Sequence, residues 1–250
     1  MARNIKLTLM YDGSEFHGYQ FQPGLVTVEG ELKRAIQRIL GEEAKLVSCS
    51  RTDAGVHANE FCCNFKTETE RENEKLLRGL NAVLPFGVAV KLCEDVPESF
   101  HARYDCLGKE YIYKIWNSKT RNPFLEKRAY HYPFALDCEA LDRAAKDFVG
   151  TYDFKAFCAA GSSVKTTERT VFDCGVKREG ELVTFFVRGD GFLYNMVRIM
   201  VGTLLSLSEG KLKENSIKKI ILSKNRDEAG VTAVADGLYL NKVFYSEVQR

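Results

Sequence analysis

Lys45-Leu46-Val47-Ser48-Cys49-Ser50-Arg51-Thr52-Asp53-Ala54-Gly55-Val56-His57-Ala58-Asn59-Glu60-Phe61-Cys62-Cys63-Asn64-Phe65-Lys66 is the stretch on which the reading of the fold turns. Lys45 to Cys49 is a short β-type run, and Phe61, Cys63 and Phe65 alternate within Glu60 to Lys66 as a half-buried ladder requires. Two strands in succession are therefore expected, joined by a polar loop. On the N-terminal side, Ile5, Leu7, Leu9 and Tyr11 alternate as a first strand. Thr27 is a suitable N-cap, and Val28, Leu32, Ala35, Ile36 and Ile39 recur at helical spacing until Gly41 stops the helix. On the C-terminal side a helix is expected from Asn73 to Leu84, ended by Pro85, followed by a strand from Val88 to Leu92.

The order is β-α-β-β-α-β, the ferredoxin-like pattern, and it begins again further on. Glu110 to Trp116 and Lys127 to Tyr132 read as strands. A helix carrying Leu136, Leu141, Ala144, Ala145 and Phe148 starts at Asp137 and stops at Gly150. Thr170 to Lys177 and Glu181 to Arg188 form a hairpin, Phe192 to Ser208 and Glu214 to Leu222 are helices, and Leu238 to Glu247 closes as a strand. The fold class is α+β: two ferredoxin-like halves related by a pseudo-twofold, residues 1–103 and 104–250. Their mostly antiparallel sheets are expected edge to edge with helices on one face and a cleft between the halves.

With 250 residues, 45% of them hydrophobic, the chain can bury a sizeable core. No apolar run reaches the length of a membrane span and the start lacks the apolar core of a signal peptide, so the cytoplasm is the expected location. The eight cysteines are scattered and read as buried free thiols. A net charge of +2 leaves a nucleic-acid partner open, because clustering matters more than the total. Lys109, Lys114, Lys119, Arg121, Lys127 and Arg128 form one basic cluster, Lys165 and Arg169 a second, and Arg188 and Arg198 flank the Gly189-Asp190-Gly191 turn. Each also fits a solvated face. Glu68 to Glu74 is acidic and is expected to stay away from RNA.

Within the central loop, Asp53 is the one carboxylate able to act as nucleophile or base. Arg51 is placed to pair with a carboxylate or reach a phosphate, and Gly55 permits a tight turn. The same residues also suit a structural Thr-Asp turn with an Asx hydrogen bond.

Arg51-Thr52-Asp53-Ala54-Gly55-Val56-His57-Ala58 resembles the signature of the TruA-type tRNA pseudouridine synthases. The resemblance extends to Tyr11-Asp12-Gly13 with Gly18-Tyr19-Gln20-Phe21-Gln22, to Phe100-His101-Ala102-Arg103, to Tyr111-Ile112-Tyr113, and to Asp153-Phe154-Lys155-Ala156-Phe157. It continues through Gly191-Phe192-Leu193-Tyr194-Asn195-Met196-Val197-Arg198 and Gly237-Leu238-Tyr239-Leu240. All occur in the family's order, over nearly the whole chain.

The resemblance implies isomerisation of uridine to pseudouridine at positions 38 to 40 of the tRNA anticodon stem-loop. No metal or other cofactor is implied; the partners are tRNA and a second copy of the chain in a homodimer. Asp53 is the implied catalytic carboxylate, whether it attacks the sugar, adds to uracil or removes a ribose proton. Arg198 is its partner, since a guanidinium on an apolar helix is costly to bury without a carboxylate. Tyr111 packs on the flipped base. Arg51 either fills the gap the base leaves or contacts its phosphate. Tyr113 is assigned to the opposite face of the same strand and to the core. His57 is read as ordering backbone rather than as a base, and Gln20 and Gln22 as contacting RNA or bracing their loop. Two departures stand out: Phe61 where the family usually has glutamine, and Val234 where it usually has proline.

Rival readings lack their motifs. A zinc deaminase needs a Cys-x-x-Cys pair, an open-sheet RNA-binding module its aromatic signature, and an ATP-driven enzyme its phosphate loop; none is present. A catalytically inactive tRNA-binding protein of the same fold is the alternative that remains.

Overall fold

The computed structural model describes residues 2–161, 164–213 and 215–246. In chain order its elements are β1 (Arg3–Tyr11), α1 (Val28–Leu40), β2 (Val47–Ser48), β3 (His57–Thr67), α2 (Asn73–Val83), β4 (Val88–Val96), β5 (Gly108–Trp116) and β6 (Tyr130–His131), followed by α3 (Cys138–Ala145), β7 (Gly150–Asp153), β8 (Glu168–Glu179), β9 (Leu182–Gly189), α4 (Met196–Ser208), α5 (Ile217–Ser223) and β10 (Leu238–Phe244), with short 3-10 turns between. The fold is mixed α+β with mostly antiparallel strands. Its contacts divide into two units, one running to Leu107 and regaining the chain from Tyr239, the other running from Gly108 to Leu238.

In the first unit β1 lies between β3 and β4, antiparallel to both, with Leu7 opposite Cys63 on one side and Cys93 on the other. β2 adds to β3 antiparallel, while β10 joins the start of β3 in parallel, pairing Tyr239 with His57 and Leu240 with Ala58. Thr27 caps α1 by accepting the Gly30 N–H at 3.2 Å, and Gly41, at φ 74°, ends it in the left-handed conformation. Val28, Leu32, Ala35 and Ile36 make up the buried face of α1. Both faces of β1 are covered, since Asn4 and Thr8 are buried alongside Ile5, Leu7 and Leu9. The buried amides are satisfied: Asn64 Nδ2 donates to Asn4 Oδ1 at 2.9 Å, Asn4 Nδ2 to the Phe100 carbonyl at 2.9 Å, and the Ala102 N–H to Asn64 Oδ1 at 2.9 Å. This network ties down the segment around Phe100–Ala102 that covers the second face.

In the second unit β5 pairs with β9, β9 with β8 and β8 with β7, all antiparallel. Asp137 caps α3 by accepting the Ala140 N–H at 3.0 Å. α4 is apolar nearly all round and correspondingly buried. Its Gly202 permits a close backbone approach, because a Cβ there would lie 1.7 Å from the Val231 carbonyl oxygen. Thr203 Oγ1 accepts the Gly230 N–H at 2.9 Å and so holds the 230–233 segment along the helix.

Several elements differ from the sequence expectation. The strand before the central loop is only Val47–Ser48, and β3 begins earlier, at His57. The run from Lys127 to Tyr132 is mostly a turn, since Lys127 takes φ 57° and leaves only Tyr130–His131 extended. α4 starts at Met196 rather than Phe192, because Asn195 is left-handed at φ 58° and breaks the helical path. Gly150 opens a strand, β7, that the sequence pattern did not contain. Glu214 and Glu247, expected at the ends of a helix and a strand, lie outside the described residues. The expected halves, 1–103 and 104–250, differ from the two units at the C-terminus, because β10 pairs with β3. Tyr113 does not point to the opposite face from Tyr111: residues two apart on a strand share a face. It is core nonetheless, fully buried, with its hydroxyl donating to the Val234 carbonyl at 2.8 Å.

Candidate active site

The loop carrying Asp53 runs from the end of β2 to the start of β3 and is clamped by the segment that follows β1. At its entry, Thr52 is held twice: Tyr11 Oη and Thr52 Oγ1 share a hydrogen bond of 2.8 Å, and the Tyr19 N–H donates to the Thr52 carbonyl at 3.1 Å. Gly18 makes the second contact possible, since it adopts φ 86° and a Cβ there would sit 2.6 Å from that carbonyl oxygen. Gly55, at φ 80°, shapes the turn itself, closed by the Val56 N–H donating to the Asp53 carbonyl at 3.1 Å. At the exit, the Gly13 N–H donates to His57 Nδ1 at 3.0 Å, and the His57 ring stacks on Tyr239 with centroids 4.5 Å apart.

Between these anchors Thr52 is buried, Asp53 is half-buried and Arg51 is exposed. This gives a carboxylate whose backbone is fixed on both sides while its side chain stays reachable. Phe61 sits beneath the clamp, fully buried and stacked on Tyr19 at 4.1 Å. The residue that departs from the usual glutamine thus serves as packing for the residues that hold Thr52. Gln22 donates from Nε2 to the His17 carbonyl at 2.9 Å and braces its own loop, whereas Gln20 is exposed.

In the second unit, Tyr111 lies on β5 with its ring edge-on to Phe192, centroids 5.1 Å apart. Arg198, on the first turns of α4, is half-buried and oriented by its own unit. Its Nε donates to the Ala233 carbonyl at 2.7 Å and its Nη1 to Asn195 Oδ1 at 2.9 Å, while the Ala233 N–H returns a bond of 3.1 Å to the Arg198 carbonyl. Val234, where the resemblance leads one to expect proline, keeps φ −60°, a value proline itself would impose. Burial raises the Tyr113 phenol well above its ordinary value, with the Arg198 charge acting in the opposite direction, so Tyr113 is a neutral hydrogen-bond donor here.

The residues that hold the Asp53 loop and Arg198 have no role legible in the sequence. Their signal was present in Tyr11-Asp12-Gly13, Gly18-Tyr19 and Tyr194-Asn195. Tyr11 reaches Thr52 across 41 residues and Gly13 reaches His57 across 44, beyond the reach of local pattern, whereas Asn195 holds Arg198 from three residues away.

A family model described as tRNA pseudouridine synthase matches residues 8–105 and 144–246. A protein of Acetivibrio thermocellus named tRNA pseudouridine synthase A is 45% identical over 243 residues, covering 97% of this chain and 100% of that protein. The chain belongs to the tRNA pseudouridine synthase family. A like-named protein of Clostridium acetobutylicum is 44% identical over the same proportions. Among solved structures, a chain of a Cbf5–Nop10–Gar1 complex aligns with 80% of this chain and 53% of its own at 15% identity and a TM-score of 0.35, a likeness too weak to bear on the fold. The synthase reaction is isomerisation of a tRNA uridine to pseudouridine.

All eight cysteines of the synthase are free thiols; Cys49, Cys62, Cys63 and Cys174 are buried, whereas Cys93, Cys106, Cys138 and Cys158 are only part-buried, contrary to the expectation for them. Burial pushes the Cys62 and Cys93 thiols up to about 11, which keeps them protonated and unreactive at neutral pH. Among the described residues, no group of three or more His, Cys, Asp or Glu is arranged to hold a metal ion, and no helix is long and apolar enough to cross a membrane.

Proposed function

We propose that Asp53 is the catalytic carboxylate of this tRNA uridine isomerase. The observation that carries the reading is the double anchorage of its loop, at Thr52 by Tyr11 and Tyr19 and at His57 by Gly13, which fixes the aim of the carboxylate before substrate arrives. Arg198 is proposed as its partner, favouring the ionised form and orienting it. Tyr111 is proposed to pack on the flipped uracil, and Arg51, exposed beside Asp53, to fill the vacated stack or contact the neighbouring phosphate.

The finer readings rest on the resemblance: uridines 38 to 40 of the anticodon stem-loop as targets, a homodimer as the working form, a cytoplasmic location, and two ferredoxin-like halves related by a pseudo-twofold. In the first unit, the antiparallel path β4-β1-β3-β2 with two helices supports the ferredoxin-like reading.

The test is Asp53→Asn, which keeps volume and hydrogen-bonding reach and removes the nucleophile or base. Pseudouridine formation, mapped on unmodified tRNA transcripts, is expected to fall by at least about 1,000-fold, while tRNA affinity, dominated by phosphate and shape contacts, stays within a few-fold. A folded Asp53→Asn protein, free of deamidated Asp, that modifies tRNA at the normal rate would return Asp53 to a turn residue, whereas an unsubstituted protein that binds tRNA and makes no pseudouridine would reopen the reading of the chain as an inactive tRNA-binding protein.

A further inference from the structure

His57 is 1% exposed, and general-base chemistry is not what its surroundings provide. Its Nδ1 faces two groups: the Gly13 N–H at 3.0 Å and the Asp12 carboxylate, whose Oδ1 is 3.2 Å away. The two contacts demand opposite protonation states, since the amide needs an unprotonated nitrogen and an ion pair needs a protonated one. The amide decides. Its hydrogen is fixed by the peptide plane and points at Nδ1, so a second hydrogen on that nitrogen would collide with it, while Asp12 Oδ1 keeps the Ser14 N–H as a donor at 3.0 Å in either case. Nδ1 is therefore an acceptor, and the proton of the neutral ring resides on Nε2.

The Gly13 amide has no freedom to turn elsewhere. A Cβ at Gly13 would come 2.0 Å from the Val56 carbonyl oxygen, so the 12–14 turn lies directly on the backbone leaving the Asp53 turn. His57 is the next residue, and the turn behind it is closed by the bond from the Val56 N–H to the Asp53 carbonyl, 3.1 Å. The ring itself is seated on Tyr239 of β10 with an interplanar angle of 19°.

Resting on the reading of Asp53 as the catalytic carboxylate, we propose that His57 is a positioning residue for it. In its neutral Nε2–H form, it accepts the Gly13 amide at Nδ1, locks the exit of the loop and so sets the aim of the Asp53 side chain. The role is that of an acceptor at one ring position, not of an acid or base. If the acceptor is lost, the Gly13 N–H is left buried and unpaired beside the loop, and the exit is free to shift.

The test uses two amides that replace different ring atoms. Asparagine at position 57 places its side-chain oxygen near the place of Nδ1, whereas glutamine reaches the place of Nε2 and leaves the Nδ1 position empty. With the intact protein and unmodified tRNA, His57→Asn is expected to keep kcat within about threefold, while His57→Gln lowers kcat by about 10- to 100-fold with KM little changed, the size of effect a small misplacement of a reacting group produces. Nitrogen NMR of the unsubstituted protein is expected to show Nδ1 as the unprotonated ring nitrogen at neutral pH. Asparagine and glutamine variants with equal losses of kcat, a glutamine variant at the normal rate, or a protonated Nδ1 would each overturn the proposal, as would losses that follow the melting temperature in both variants. Asp53→Asn measured alongside keeps the two readings apart. If it stays active, the catalytic assignment fails. If it is inactive and His57→Gln is not impaired, only the positioning role fails.

Discussion

Asn195 takes φ 58° and ψ 10° immediately before α4, and its Oδ1 accepts the Arg198 Nη1 bond at 2.9 Å. Asparagine tolerates the left-handed region better than other residues with a side chain, so one position serves both as a break before the helix and as an orienting acceptor. The two duties are separable. Asn195→Gly retains the backbone and removes the acceptor. It is expected to melt near the normal temperature while slowing pseudouridine formation by about 10-fold, as the proposed pairing of Arg198 with Asp53 requires. Asn195→Ala loses both and is expected to be destabilised by about 1 kcal/mol as well. Melting curves and single-turnover rates measure the two effects; an unchanged rate for the glycine variant would leave Asn195 a backbone choice alone. At this scale the sequence exposed chemistry but not support. Asp53, Arg51, Arg198 and Tyr111 stood out as residue types within motifs recognised by resemblance. Tyr11, Gly13 and Gly18 lay in those same motifs without a readable job, because what each holds lies far along the chain, while the job of Asn195 depends on a left-handed backbone that residue type alone does not announce.

At the scale of elements, what was legible is what is locally determined. Thr27 and Gly41 bound α1 and Asp137 starts α3, because caps are made by residues next to the helix they end. The alternation in β1 was legible as a strand, but the burial of Asn4 and Thr8 was not, since the cover comes from around Phe100. β7 and the late start of α4 were missed for the same kind of reason, as both depend on single backbone angles at Gly150 and Asn195. Gly202 in α4 gives the sharpest prediction at this scale. Alanine is the better helix former by about 1 kcal/mol, which by itself would stabilise α4. Its methyl group, however, would meet the Val231 carbonyl oxygen at 1.7 Å, and a backbone atom cannot swing aside as a side chain can. The clash outweighs the propensity: Gly202→Ala is expected to cost on the order of 3 kcal/mol, read as a lowered urea midpoint. A variant as stable as the parent would show that the 230–233 segment yields at little cost. Because that segment also carries the Ala233 carbonyl that holds Arg198 Nε, activity is expected to fall with it.

For the whole molecule, the net charge of +2 is too small to describe RNA binding, so the distribution of cations decides it. Lys109 and Lys114 of the basic cluster are only part-exposed, and burial lowers the Lys114 value, whereas Lys119 and Arg121 are exposed. If Lys119 and Arg121 reach tRNA phosphates, replacing both with glutamine is expected to reduce the slope of log affinity against log salt by about 2, without changing which uridine is modified. An unchanged slope would place them on a solvated face. The division of the chain has a different kind of consequence. The first unit is left at Leu107 and rejoined only at Tyr239, whose ring seats His57 and whose strand pairs with the start of β3. On a ribosome adding roughly 5 to 20 residues each second, the Asp53 loop would wait on the order of 10 to 40 s after its own synthesis for this last wall to emerge. A nascent or truncated chain without β10 would therefore carry every residue of the signature and still lack the strand and ring that seat His57, so that the proposed site is completed only once β10 has emerged.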